Sequence, residues 1–90
     1  MYELRYSREA SRAIARLPAL HKRRVIAAVE KLRVEPRPPG VKKLTGPNRY
    51  YRLRVGDYRV IYEVTDSEVI VYVQRVARRT DQLYRNLPRG

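Results

Sequence analysis

Ninety residues with 43% hydrophobic content are enough for one folded domain, residues 1–90, and too few for two separate cores. Twenty-one Lys plus Arg against nine Asp plus Glu give a formal charge of +12, which points to polyphosphate, an anionic membrane surface or an acidic protein as partner. The lack of cysteine excludes disulfides, a thiol nucleophile and cysteine zinc sites, and no stretch nears the roughly 20 apolar residues of a membrane span.

The opening residues, MYELRYSREA, hold no apolar run of signal-peptide length, so a soluble cytoplasmic protein is expected. Tyr2, Leu4 and Tyr6 alternate with Glu3 and Arg5, the period of a short strand. Ser7 is placed to cap a helix in which Ala10, Ala13, Ile14 and Leu17 share one face, and Pro18 ends it. A second helix is expected from about Leu20 to Val34, with Val25, Ala28, Val29 and Leu32 on its buried side. The two make an αα-hairpin. Residues 35–49 hold Pro36, Pro38, Pro39, Gly40, Gly46 and Pro47 and read as a stiffened loop, which also carries Lys42 and Lys43.

Strands follow. Tyr51, Leu53 and Val55 alternate with Tyr50, Arg52 and Arg54; Gly56-Asp57 suits a two-residue type II′ turn; Tyr58, Val60, Tyr62 and Val64 then alternate with Arg59, Ile61 and Glu63. After a polar turn at Thr65–Glu68, Val69–Val76 forms a further strand, with Val69, Val71 and Val73 on the core face. The expected fold is α+β: an N-terminal strand, an αα-hairpin and a three-stranded antiparallel meander, with the helices packed on one face of a twisted sheet.

The turn at Gly56-Asp57 sets Arg54 opposite Arg59, and Arg52, Arg54 and Arg59 on the face away from the helices. Two arginines facing each other repel, at a cost of up to about 1 kcal/mol. A bound anion on this face would explain the pairing, and seventeen of the 21 basic residues are arginine, whose planar fork suits phosphate. Tyr50 and Tyr72 flank the set as surfaces for stacking bases. The run from Arg75 to Arg85 is expected to leave the end of the sheet beside these arginines. His21, the only histidine, reads as exposed and inert, which excludes a two-histidine ribonuclease mechanism and a histidine-rich metal site. No acidic cluster with metal-ligand spacing, P-loop or dinucleotide loop is visible, so neither metal nor cofactor is expected.

The segments YYRLRVGDYRVIYEV and VIVYVQRVARRTDQLYR, in the order β-α-α-β-β-β, resemble the RelE/ParE toxin superfamily over Tyr2 to Arg85. Its RelE branch implies a ribosome-dependent endoribonuclease that cuts messenger RNA and forms a hetero-oligomeric complex with an acidic antitoxin. The resemblance implies Arg59, Arg79 and Tyr84 as catalytic residues. Arg52 and Arg54 match the family's basic positions, with Arg78, Lys42 and Lys43 as further phosphate contacts. The reaction uses the RNA's own 2′-OH, so it needs charge stabilisation and a proton acceptor. Arginine is effectively never deprotonated, so Arg52 and Arg54 cannot be the base. Tyr84 is the candidate base, given neighbouring positive charge that lowers its pKa, and Arg79 the candidate hydrogen-bond donor to the leaving oxygen. Two alternatives stay open: a ParE-like inhibitor of DNA gyrase, and an inactive homologue acting through antitoxin binding.

Overall fold

The computed structural model describes residues 1–79. Strand β1 (Glu3–Tyr6) turns Tyr2, Leu4 and Tyr6 toward the core and leaves Glu3 and Arg5 exposed, ion-paired at 2.7 Å. Ser7 follows and ties three things together. Its Oγ accepts from the Ala10 amide at 2.9 Å, capping α1 (Arg8–Arg16), and donates to the Gln74 carbonyl at 2.6 Å. Its own amide donates to Val73 O at 2.9 Å. Ala10 is fully buried, and Ala13, Ile14 and Leu17 pack against the same core.

Helix α2 (Ala19–Glu30) buries Val25 and Val29, and a 3-10 turn at Lys31–Arg33 continues it and buries Leu32. The expected helix to Val34 is therefore α-helical only to Glu30. The backbone tightens because Pro36 lies just beyond and cannot continue a helix. His21 is half-buried rather than exposed, with its ring 5.2 Å from that of Tyr58 and tilted to it.

The loop expected over 35–49 contains a short strand, β2 (Lys42–Lys43), paired antiparallel with β3 (Tyr50–Val55). β3 and β4 (Tyr58–Thr65) form the hairpin in the expected register: Val55 meets Tyr58, Arg54 meets Arg59, Leu53 meets Val60 and Arg52 meets Ile61. Gly56 has φ 58° and Asp57 keeps a negative φ, the signs that a type II′ turn requires. β5 (Ile70–Arg78) runs antiparallel to β4, and β1 joins its far side in parallel, giving the sheet order β1-β5-β4-β3-β2. The helices cover one face, where Val60, Tyr62, Val64, Val71, Val73 and Val76 complete the core.

Two expectations about β5 are corrected. Val69 does not begin the strand in the core. It is 43% exposed at φ 58°, in a turn closed by Glu68 N to Thr65 O at 3.3 Å and Val69 N to Asp66 O at 3.2 Å. A β-branched residue there is strained, and the Glu3 amide, donating to Val69 O at 2.8 Å, helps hold it. The strand also runs past Val76 to Arg78, with a bulge: Tyr62 pairs with Val73 but Ile61 pairs with Arg75, so Gln74 is the extra residue. Strict alternation from Val71 and Val73 would bury Arg75 and expose Val76. The bulge reverses both, because burying a valine is favourable and burying an arginine among valines is not.

The proline loop is fastened by tyrosine hydroxyls. Tyr62 donates to Pro36 O at 2.7 Å; Arg37 donates to the Tyr51 hydroxyl at 2.9 Å and to both Asp66 oxygens at 2.9 and 3.2 Å; Tyr2 donates to Asp66 at 2.8 Å. The Arg37 hydrogen bond, then that of Tyr2, holds the Asp66 carboxyl below its ordinary range.

Candidate nucleic-acid interface

Strand pairing arranges the face away from the helices in rows that cross the sheet. Nearest the hairpin turn stand Arg54, Arg59 and Ala77. The next row is Lys42, Arg52, Ile61 and Arg75, from β2 to β5. The third is Tyr50, Glu63, Tyr72 and, on β1, Arg5. With strands about 4.8 Å apart, the second row spans roughly 14 Å.

Five basic side chains thus lie in two adjacent rows, but they are not equally presented. Arg54 is exposed, Arg52 and Arg75 are half-buried, and Arg59 is only 6% exposed. The Arg59 Nη1 lies 3.3 Å from Tyr58 O and 3.4 Å from Gly56 O, so the guanidinium is held at the turn where carbonyl dipoles face it. This offsets part of the repulsion from Arg54 directly opposite. The expectation that Arg59 stands clear of the protein interior is corrected: it is both a charge beside this face and a clamp on the turn.

Arg79 joins the same end of the sheet, since its backbone amide donates to Asp57 O at 2.8 Å. Arg78 does not join the face. It pairs with Tyr58, whose side chain belongs to the helix-side core. Lys43 is likewise on the helix side, opposite Tyr51; its Nζ sits 5.6 Å from that ring and donates to Asn48 O at 2.7 Å. Lys42, by contrast, shares the row of Arg52. Tyr84, expected as the proton acceptor, lies outside the described residues.

Tyr50 cannot serve as a stacking surface. It is 2% exposed and packs with Ile61 in a second small apolar cluster on this face, joined by Leu44 and Ala77. The Asn48 carboxamide oxygen accepts from Tyr50 N at 3.0 Å, and Leu44 N donates to Tyr50 O at 2.9 Å, which brings the loop over the ring. Burial, then the charge of Glu63, pushes the Tyr50 phenol above its ordinary pKa, while Arg75 and Arg49 pull the other way. Tyr72 stays half-buried on the same face.

Arg75, like Lys42, is a basic residue of this face that sequence reasoning placed elsewhere, Lys42 in a loop and Arg75 in a tail beyond the sheet. The signal for Arg75 was available: a valine pair at spacing two, followed by a valine at spacing three, with an arginine between. Among the described residues, no group of three His, Cys, Asp or Glu could hold a metal ion, and no helix is long and apolar enough to cross a membrane.

A basic sheet face on a strand-helix-helix-meander scaffold defines a class, and comparison with known proteins identifies it. Residues 4–83 match the family model of the ParE toxin of type II toxin–antitoxin systems, and the chain belongs to the RelE/ParE toxin superfamily. A Methanocaldococcus jannaschii protein described as toxin RelE1 is 30% identical over 73 residues, which cover 78% of this chain and 80% of that one. The archaeal RelE–RelB complex from Pyrococcus horikoshii aligns with TM-score 0.78 at 32% identity, covering 88% of this chain and 96% of that chain. The intact Escherichia coli RelBE toxin–antitoxin complex aligns with TM-score 0.75 at 26% identity, covering 87% and 96%.

Proposed function

We propose that this chain is a RelE-type toxin that cuts messenger RNA on the ribosome, in the cytoplasm, and is restrained by an acidic antitoxin. The observation that carries the proposal is the Arg54–Arg59 pair, facing across two strands with Arg52 and Lys42 in the next row. A sheet selected for stability alone would set opposite charges there. An RNA phosphate between them turns the repulsion into charge-assisted hydrogen bonds.

The chemistry follows from the groups at hand. The ribose 2′-OH attacks the neighbouring phosphorus and the bond to O5′ breaks, leaving a cyclic phosphate and a 5′-hydroxyl. Guanidinium groups fixed before the reaction stabilise the extra charge on the phosphorane without reorganising. Arg59, held by the turn carbonyls, and Arg52 and Arg54 fill this role, with Arg79 donating a hydrogen bond to the leaving oxygen, which takes its proton from water. The 2′-OH proton goes to Tyr84, whose phenol needs neighbouring positive charge to ionise well below its usual pKa of about 10. An antitoxin fits as partner because a chain of +12 attracts an acidic segment that folds upon it, and the solved relatives include RelE–RelB and RelBE complexes.

The matching ParE family model favours one second reading, inhibition of DNA gyrase. Purified chain is added to ribosomes translating a defined message, and separately to gyrase with relaxed plasmid. New 5′-hydroxyl ends on ribosome-bound message are expected. Intact message together with lost supercoiling would reverse the conclusion.

A further inference from the structure

We infer that Arg75 is an additional phosphate-contact residue of this sheet face, held before binding by Glu9 as an exchangeable internal carboxylate. The inference rests on the RNA-binding reading above and extends the contact surface to β5. Arg75 reaches the face only through the bulge at Gln74, which puts it in one row with Ile61, Arg52 and Lys42. Bulges beside functional surfaces commonly serve to re-aim a side chain. This one leaves Gln74 O to be taken by the Ser7 hydroxyl, at 2.6 Å.

The environment of Arg75 suits a held charge. Its side chain is 12% exposed, whereas Glu9, near the start of α1, is 61% exposed. The Nε–Oε2 approach is 3.1 Å, and the Nη2 to Oε1 hydrogen bond is long at 3.4 Å. An acid so exposed is well hydrated once released, so little opposes its replacement by a phosphate oxygen, while the arginine is already positioned. A row roughly 14 Å long takes several phosphates of one strand, which gives Lys42, Arg52 and Arg75 separate contacts along it.

The test is binding, kept apart from cleavage: a short single-stranded RNA with 2′-O-methyl groups, which cannot be cut, is titrated with the toxin at several NaCl concentrations. Arg75→Gln is expected to lower the slope of log K against log salt by about 0.7, the value for one phosphate contact on a single strand. Arg75→Lys keeps the slope. Glu9→Gln, which removes this competing carboxylate, tightens binding about two- to fivefold, the range that an exposed ion pair allows. Arg23→Gln on the exposed side of α2 makes the same charge change away from the sheet and leaves the slope unaltered. An unchanged affinity in Glu9→Gln, or an equal loss of slope in Arg23→Gln, overturns the assignment of Arg75 alone. Wild-type chain with no salt-dependent binding of the free RNA overturns the Arg75 assignment, while cleavage on the ribosome stands or falls by the ribosome assay above.

Discussion

Arg54 and Arg59 face each other with the same charge, yet the structure gives opposite expectations for removing them. Arg59 makes contacts of 3.3 and 3.4 Å to two carbonyls of the hairpin turn and is 6% exposed. Hydrogen bonds from a charged donor contribute about 1.5–3 kcal/mol, and these two are long, so the lower end applies. Relief of the repulsion across the strands returns up to about 1 kcal/mol. With about 3 kcal/mol from the two contacts and up to about 1 kcal/mol returned, Arg59→Ala is expected to destabilise by about 2 kcal/mol, a fall in melting temperature of roughly 8–16 °C for a domain of this size. Arg54→Ala removes the same repulsion but none of the turn contacts, so it is expected to stabilise by a few tenths of a kcal/mol. Both should weaken RNA binding. Urea denaturation of the two variants and of the double variant, read as midpoints at constant slope, separates the terms. If Arg54→Ala destabilises the fold as much as Arg59→Ala, repulsion between the pair is not what the register imposes, and this face loses its claim to be an anion-binding surface.

Ser7→Ala removes the cap of α1 and the donor to the bulge carbonyl, so about 2 kcal/mol of stability should be lost in denaturant titration, with Ser7→Thr recovering part of it. Val69→Asn places a residue that tolerates positive φ where valine is strained, and should raise the denaturation midpoint by the equivalent of about 1 kcal/mol. Burial, reinforced by Tyr51, pushes the Tyr62 phenol well above its ordinary pKa. The folded state thus favours the neutral form, so this stability is full below about pH 10 and is lost as the pH rises through the folded value. Unfolding followed between pH 9 and 11 (roughly the onset of that window) should show a shallower alkaline decline in Tyr62→Phe, and an identical decline would remove Tyr62 as its cause.

What the linear chain determined by itself is everything that depends on short spacing. Ser7 before an apolar helical face, Pro18 between two helices and Gly56-Asp57 between alternating strands are local signals, each read by sterics or hydrogen bonding within a few residues. Through the turn they also imply the Arg54–Arg59 register, which the pairing bears out. The tertiary structure decided what depends on distant partners. The parallel docking of β1 on β5 and the edge strand at Lys42–Lys43 form because a sheet edge offers backbone groups that need pairing, and no local pattern names that edge. The burial of Arg59 and Tyr50 follows from turn carbonyls and a returning loop. Arg75 changes faces because its strand must keep Val76 in the core without taking an arginine there, a conflict settled by adding Gln74 as a bulge rather than by any preference of Arg75 itself.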